Sequence, residues 1–297
     1  MKRYGMILLA ILLTSAGSAI PAQAVGDCPA RTVFAESQAW WTPNPGTTGG
    51  DDFGHVHVGA CIPERDTLSA DTTIPVTVIL HENPGTLQDI SLVFKTDESE
   101  TTVAKVEPGF RTCPVTDTCS TRVNMPVDIS KFDRSGLQEI RFRVYVEEPT
   151  GKIMHSSLGF QATIQNGKTV NDVGRMPYLR SKGWYTGYGY CEADVLSVPL
   201  PDEPISGVWN VTVQQVDHGE EGDVAPSHHS VRLDANAHLG IEGTVLSDGP
   251  GPLRERTFAI DTRELSNGTH RLVQRVDCAR DNQVNSGVSV LQFTVRN

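Results

Sequence analysis

Short apolar stretches that alternate with polar residues recur along most of the chain. They are rich in β-branched and aromatic residues and are bounded by Gly, Pro, Asn or Asp, a composition typical of strands between turns. The stretches are Ile74–Leu80, Ile90–Phe94, Ile140–Val146, Phe160–Ile164, Val208–Val213, Val231–Leu233, Leu272–Val276 and Val288–Val295. No segment of about a dozen residues shows capped apolar positions with a 3.6-residue period. The sequence therefore predicts an all-β protein.

The two halves of the chain share a pattern. In each half an Asp-to-Gly segment, Asp128–Gly136 or Asp261–Gly268, precedes a strand-like stretch in which an Arg-Val pair follows at the same distance. Equivalent positions lie about 130 residues apart, which is typical of two copies of one unit. We therefore predict a domain over residues 53–170, a second domain over residues 171–297, and an N-terminal segment, 25–52, that is tied to the first.

The segment Asp261–Val273 carries a family resemblance. It reads Asp-Thr-Arg-Glu-Leu-Ser-Asn-Gly-Thr-His-Arg-Leu-Val and is followed by a polar loop and a terminal strand. It resembles the end of bacterial immunoglobulin-like (Ig-like) domains, where a D-x-x-x-L-x-x-G-x-H pattern leads into the penultimate strands. The resemblance implies two tandem Ig-like Greek-key β-sandwich domains. It implies no activity, because this architecture serves binding, adhesion, spacing and some catalysis alike.

The first 24 residues have the layout of a secretory signal peptide. Lys2 and Arg3 precede the apolar run Met6–Leu13, and the small residues Ala22 and Ala24 form a cleavage site. No later stretch reaches the roughly 20 apolar residues that a membrane-spanning helix needs. We therefore expect an exported protein, secreted or periplasmic, that does not span the membrane.

The net negative charge of the chain argues against one class of partner, nucleic acids. The chain has 25 Lys and Arg residues against 36 Asp and Glu residues, which gives a net charge of −11. Nucleic-acid binding requires clustered cations that neutralise phosphates. We expect no nucleic-acid partner.

Six cysteines follow the predicted signal peptide, and an exported protein forms disulfides. Six cysteines permit 15 pairings. Cys113 and Cys119 enclose a segment with the composition of a turn, which favours a local bridge. The repeat places Val146 where the second unit has Cys278, so it favours Cys191–Cys278 within that unit and Cys28–Cys61 in the first. A zinc site made of cysteines is not favoured, because no Cys-x-x-Cys spacing occurs.

Several histidines form a candidate metal site. On a strand, His55 and His57 lie on the same face, as a two-histidine metal pair requires. A third ligand would come from His81 or from a histidine-rich stretch of the second half that contains His218, His228, His229 and His238. Such a site suits copper or zinc. The alternative is that His55 and His57 are half-exposed residues that only form hydrogen bonds with their neighbours.

The aromatic residues cluster in one glycine-spaced run. Trp184, Tyr185, Tyr188 and Tyr190 lie close together in the sequence, and glycines between aromatic residues leave their rings uncovered. Such rings stack on sugar faces and supply contact area at low entropic cost. The alternative is that these tyrosines fill the joint between the two units, while Trp40 and Trp41 pack the N-terminal segment onto a sandwich.

No motif for a known catalytic mechanism occurs in the chain. It has no Gly-x-Ser-x-Gly elbow, His-Glu-x-x-His motif, P-loop or dinucleotide fingerprint. We therefore expect a binding or adhesion module for an extracellular glycan or a cell-surface protein, without a cofactor and without catalysis. The alternatives are a histidine-dependent metal-binding protein or enzyme that acts on extracellular polysaccharide, and a purely structural spacer.

Overall fold

The computed structural model describes most of the chain that follows the predicted signal peptide. The described residues are 28–29, 32–43, 54–63, 67–81, 83, 85–95, 100–114, 117–149, 151–171, 178–185, 189–196, 204–219, 222–224, 228–233, 241–242, 244–248, 254–280 and 283–297. The predicted signal peptide, residues 1–24, lies outside these ranges.

The described residues form strands connected by turns. The strands are β1 (Thr32–Pro43), β2 (Gly54–Pro63), β3 (Thr67–Leu68), β4 (Thr72–His81), β5 (Thr86–Leu87), β6 (Ile90–Lys95), β7 (Glu100–Val106), β8 (Thr118–Val127), β9 (Ser135–Glu147), β10 (Ile153–Ile164), β11 (Val170–Asn171), β12 (Leu179–Tyr185), β13 (Gly189–Val195), β14 (Val208–Gly219), β15 (Gly222–Val224), β16 (His228–Leu233), β17 (Ile241–Glu242), β18 (Thr244–Asp248), β19 (Arg254–Asp261), β20 (Gly268–Arg280) and β21 (Gln283–Val295). Every predicted stretch lies within one of them, and the all-β prediction is confirmed.

Two β-sheets form a sandwich-like arrangement. Sheet A has the order β17-β16-β20-β21-β1-β2-β4-β8. Sheet B has the order β18-β19-β14-β13-β12-β10-β9-β6-β7, and the short strands β3, β5, β11 and β15 pair with its members. Each sheet takes strands from both halves of the chain. The halves meet at two antiparallel pairs, β1 with β21 and β10 with β12, which we call the joint.

The hydrophobic core also spans both halves. Alternate residues of the strands point inward, and one cluster of buried apolar side chains extends from Val33 on β1 to Val295 on β21. Sheets and core thus continue across the predicted boundary between residues 170 and 171. The division into two domains and their Ig-like Greek-key topology stay predictions.

Small residues bring the two sheets close together at the joint. Ser156 Oγ lies 3.2 Å from the carbonyl oxygen of Ser37, and Ser289 Oγ lies 2.7 Å from Ser181 Oγ. These serines are almost completely buried. A Cβ atom at Gly287 would lie only 2.6 Å from the carbonyl oxygen of Cys191, so glycine is required at this contact.

Three disulfides link the strands, and they are the pairs that the sequence predicts. Cys28–Cys61 ties the residues before β1 to β2, and Cys113–Cys119 closes a local loop. Cys191–Cys278 joins β13 of sheet B to β20 of sheet A, with a sequence separation of 87. The third disulfide therefore connects the two layers of the sandwich.

Two short 3-10 turns resemble each other. Asp128 caps Ile129–Lys131 and accepts a hydrogen bond from the backbone N–H of Ser130. Asp261 caps Thr262–Glu264 and accepts a hydrogen bond from the backbone N–H of Arg263.

Within the described ranges, no helix is long and apolar enough to cross a membrane.

Candidate functional site

Four aromatic side chains form a continuous row across the middle of sheet B. They occupy opposing positions in the register of four neighbouring strands, and they are Tyr145 on β9, His155 on β10, Trp184 on β12 and Tyr190 on β13. Opposing residues on adjacent strands place their side chains side by side. We call these four residues the aromatic row. It crosses the joint and takes two rings from each half of the chain.

The aromatic row lies on the outer face of sheet B. The residues next to it in sequence, including Val144 and Met154, point into the core, and alternation along a strand turns the row outward. Tyr190 is 37% exposed, whereas His155 is only 3% exposed. Tyr145 and Trp184 are half-buried. His155 therefore lies beneath the other three rings.

Ring distances show that the row is closely packed. The His155 ring centroid lies 4.9 Å from that of Tyr145, 6.4 Å from that of Trp184 and 6.2 Å from that of Tyr190. The centroids of Trp184 and Tyr190 are 6.2 Å apart. These separations fall within or close to the range in which aromatic rings interact favourably. The row is thus one surface rather than four separate rings.

Two cations cover the outer rings of the row. The Arg143 guanidinium lies 5.0 Å from the Tyr145 centroid, and the Lys182 ammonium lies 5.3 Å from the Tyr190 centroid. Both distances are typical of cation–π interactions. The row therefore combines apolar ring faces with charged hydrogen-bond donors.

An ion-pair network adjoins the row on the same face. Its members are Glu100, Glu139, Arg141, Arg143, Arg180, Lys182, Glu192 and Asp194. Glu100 bridges Arg141 at 2.9 Å and Arg143 at 2.6 Å. Arg180 contacts Asp194 at 2.8 Å, and Lys182 pairs with Glu192. The network fixes the two cations that cover the row.

The network changes the protonation of its members. Burial and the neighbouring charge of Glu192 raise the pKa of Asp194 to about 8, although Arg180 opposes this shift. Asp194 is therefore mainly protonated at neutral pH. Burial, together with Arg143 and other nearby cations, holds the pKa of His155 well below its ordinary value. His155 is consequently neutral at pH 7.

The residues predicted to bind a ligand occupy different places. Trp184 and Tyr190 belong to the aromatic row. Tyr185 lies on the opposite face of β12, where it is fully buried and donates a hydrogen bond of 2.9 Å to Glu148 Oε2. Tyr188 lies outside the described residues. The Trp184–Tyr190 pair is the part of the predicted set that the structure brings together on a surface.

Sequence reasoning did not identify Tyr145, His155, Arg143 or Lys182. One signal was present, because the alternation in Ile140–Val146 places Arg143 and Tyr145 on the same face of β9. β9 and β10 are consecutive strands, but local patterns reveal neither their register nor the pairing of β10 with β12 that completes the row.

The predicted histidine pair lies on the outer face of sheet A. The ring centroids of His55 and His57 are 6.1 Å apart, and His81 on β4 lies 5.4 Å from His55. His55 stacks on Trp40 at 4.8 Å, and His57 Nδ1 lies 3.0 Å from Glu36 Oε1. These contacts fit the alternative role, hydrogen bonding and packing with neighbours, but His57 is buried at 1% exposure rather than half-exposed.

Burial alone would raise the pKa of Glu36, but the hydrogen bond and the charge of His57 outweigh that effect and leave it below its ordinary value. Glu36 is therefore ionised at neutral pH and holds the imidazole of His57 in place.

Of the second-half histidines predicted as metal ligands, His229 is the one whose side chain the structure describes, and it does not join His55 and His57. His229 is on β16, and β20, β21 and β1 separate this strand from β2, a distance of about 19 Å at the usual strand spacing. The His229 ring contacts Phe258 and lies near Gln274. The side chain of His228 and the whole of His238 lie outside the described residues.

In the part of the chain that the structure describes, no three His, Cys, Asp or Glu side chains are placed to hold a metal ion. The copper or zinc site stays a prediction.

Comparisons with known proteins do not assign the chain to a family. No protein-family model matches it, and no curated protein matches it. Among solved structures, the CupB6 tip adhesin from Pseudomonas aeruginosa aligns with 90% of this chain and 89% of its own, at 9% sequence identity. The TM-score is 0.13, which is too low to indicate a shared fold. The functional conclusion therefore depends on the geometry of the aromatic row.

Proposed function

We propose that this protein is an exported binding module that recognises an extracellular glycan through the aromatic row. The observation that carries the proposal is the cross-strand alignment of Tyr145, His155, Trp184 and Tyr190 on one outer face, with Tyr190 exposed. The glycan is the partner of this proposal; a cell-surface protein would bind through the glycans that it carries.

Stacking explains why aromatic rings suit this ligand. A sugar ring presents a face of C–H groups that packs on an aromatic face, and its hydroxyl groups remain at the rim. Three strand spacings separate the two ends of the row, about 14 Å. This length accommodates a short oligosaccharide. Tyr and Trp supply that contact area with little loss of side-chain entropy.

The polar groups beside the rings explain how hydroxyl groups would be recognised. Arg143 and Lys182 already lie over rings of the row, and Glu100 and Glu192 hold them in position. Pre-organised donors lose little entropy on binding. Ring faces and fixed donors together favour a ligand that is both flat and hydroxylated.

The proposed location rests on the cysteines and on the first residues of the chain. Disulfides persist in oxidising compartments, and all six cysteines form them. This supports secretion or export to the periplasm, with residues 1–24 as the signal peptide. The two similar Asp-capped turns support the proposal that the halves are copies of one Ig-like unit.

Glycan binding by two ring variants tests the proposal. Purified protein would be titrated by calorimetry with the oligosaccharide that binds it most tightly on a glycan array. Trp184→Ala and Tyr190→Ala remove ring faces, so each should raise Kd about tenfold or more. Tyr190→Phe keeps the ring and should raise Kd less than Tyr190→Ala does.

Val208→Ala is a matched control, since Val208 is 56% exposed and lies outside the row. Its Kd should equal that of the wild type. Binding that survives both alanine substitutions in the row would contradict the proposal, provided that circular dichroism shows the variants to be folded.

A further inference from the structure

Four buried polar atoms on β9 and β10 lack hydrogen-bond partners. They are Arg141 Nε, Arg143 Nε, His155 Nε2 and Ser157 Oγ, and no partner for any of them occurs among the residues that the structure describes. Arg143 opposes Ser157 in the register, and His155 and Ser157 lie on the same face of β10. We call this set the donor cluster. The donor cluster shares His155 with the aromatic row and continues from it along β9 and β10.

The burial of these groups makes their lack of partners significant. His155 is 3% exposed, Ser157 is fully buried and Arg141 is 3% exposed. A buried polar group without a partner costs about 1–3 kcal/mol. Native structures retain few such groups, and each one calls for an explanation. Four such atoms lie on one face of β9 and β10, where a ligand oxygen would supply missing partners.

The chemistry of the cluster indicates what that partner is. Arg Nε–H groups only donate hydrogen bonds, and the Ser157 hydroxyl and one tautomer of neutral His155 donate as well. The missing partner is therefore an acceptor. A ligand oxygen that carries negative charge is the strongest acceptor for such donors.

The surrounding charges favour the same conclusion. The ion-pair network contains four cations and four carboxylates. The raised pKa of Asp194 reduces the negative charge that opposes the four cations of the network at neutral pH. An anionic group at the donor cluster would restore that negative charge.

We infer that the glycan bound by the aromatic row is an acidic one, whose carboxylate or sulfate group accepts hydrogen bonds from the donor cluster. The inference rests on the proposed function and specifies its ligand class. Tyr190 is the most exposed ring and lies 6.2 Å from His155. A sugar stacked on Tyr190 and Trp184 would therefore bring its acidic group close to His155.

Matched pairs of oligosaccharides test the ligand class. The probes are oligogalacturonate and its methyl ester, hyaluronan hexasaccharide and its carboxyl-reduced form, and chondroitin sulfate hexasaccharide and its desulfated form. The wild-type protein should bind the charged member of a pair about tenfold more tightly, the effect of one charge-assisted hydrogen bond. The first two pairs report on a carboxylate and the third on a sulfate.

Two variants locate the effect at the donor cluster. Ser157→Ala removes one donor, and His155→Phe keeps the ring while it removes the nitrogen. Each should reduce the preference for the charged member at least about threefold. Ser120→Ala, on the exposed strand β8 of sheet A, should leave the preference unchanged.

The possible failures are distinguishable. Equal affinity for charged and neutral members, with binding still lost in Trp184→Ala, would overturn the inference and leave the proposed function intact. A preference that Ser157→Ala and His155→Phe both retain would also overturn it. Absence of binding to every glycan tested would overturn the proposed function itself.

Discussion

Single positions decide how closely the two sheets approach each other. Gly287 lies at the joint, where β21 of sheet A passes over the backbone of β13 in sheet B. Its neighbours across the layers are backbone atoms, which cannot rotate away as the end of a side chain can. The buried serines beside it serve the same purpose, because they are small and satisfy each other's hydrogen bonds.

Gly287→Ala should therefore destabilise the protein by about 1–3 kcal/mol, the usual cost of overpacking. The new Cβ would lie 2.6 Å from the carbonyl oxygen of Cys191. Gly109→Ala is the comparison, since its Cβ would lie 2.6 Å from Thr121 Oγ1, an atom of a side chain that can rotate away, and it should cost less than Gly287→Ala. Urea unfolding measures both. Equal stability of Gly287→Ala and the wild type would show that the sheets are farther apart at the joint.

At the scale of residues, the sequence revealed only the part of the site that is local. Trp184 and Tyr190 lie in one glycine-spaced run, so their clustering was visible. Tyr145 and His155 lie far from that run and reach it through the pairs β9–β10 and β10–β12. The apolar alternation of β9 was visible, but nothing in it indicated which strand would lie beside it.

At the scale of elements, strands whose inner positions carry large apolar residues were predictable, whereas a strand whose inner positions are small was not. The eight predicted stretches all lie in observed strands. Strand β1 was not predicted, although it lies in the middle of sheet A. Its inner positions are small, such as Ala35 and Ser37, and its outer positions include Glu36 and Gln38. Between Phe34 and Trp40, this pattern lacks the large apolar residues that identify a strand in a sequence.

The disulfide between the layers is expected to stabilise the fold more than the local one does. Cys191–Cys278 has a sequence separation of 87, and Cys113–Cys119 has a separation of 6. In the chain-entropy model the longer loop is worth about 4–5 kcal/mol and the shorter about 2 kcal/mol.

Urea unfolding of the Cys191→Ala/Cys278→Ala variant should consequently show the larger loss of stability, with Cys113→Ala/Cys119→Ala as the matched control. A loss that is equal for both pairs, or larger for the local pair, would contradict this order.

At the scale of the whole molecule, the two halves share both sheets and one core. The strands β1 and β10 of the first half pair with β21 and β12 of the second. Neither half can complete either sheet without the other. We therefore expect the protein to unfold in a single cooperative transition, even though its sequence suggests two units.

Differential scanning calorimetry measures this cooperativity. One transition, with equal calorimetric and van't Hoff enthalpies, is the expected result. Two separate transitions would show that the halves are independent domains, as the tandem pattern of the sequence predicts.

The most direct test of glycan recognition is the NMR spectrum of the tryptophan indoles during titration with the glycan that binds most tightly. The chain has four tryptophans, and a Trp184→Phe variant identifies the signal of Trp184. Trp40 is on the outer face of sheet A, and Trp209 packs on Phe293 in the core. The Trp184 signal should shift in proportion to binding, while those of Trp40 and Trp209 stay in place. A bound glycan that leaves the Trp184 signal unchanged would contradict the proposal that the aromatic row is the binding site.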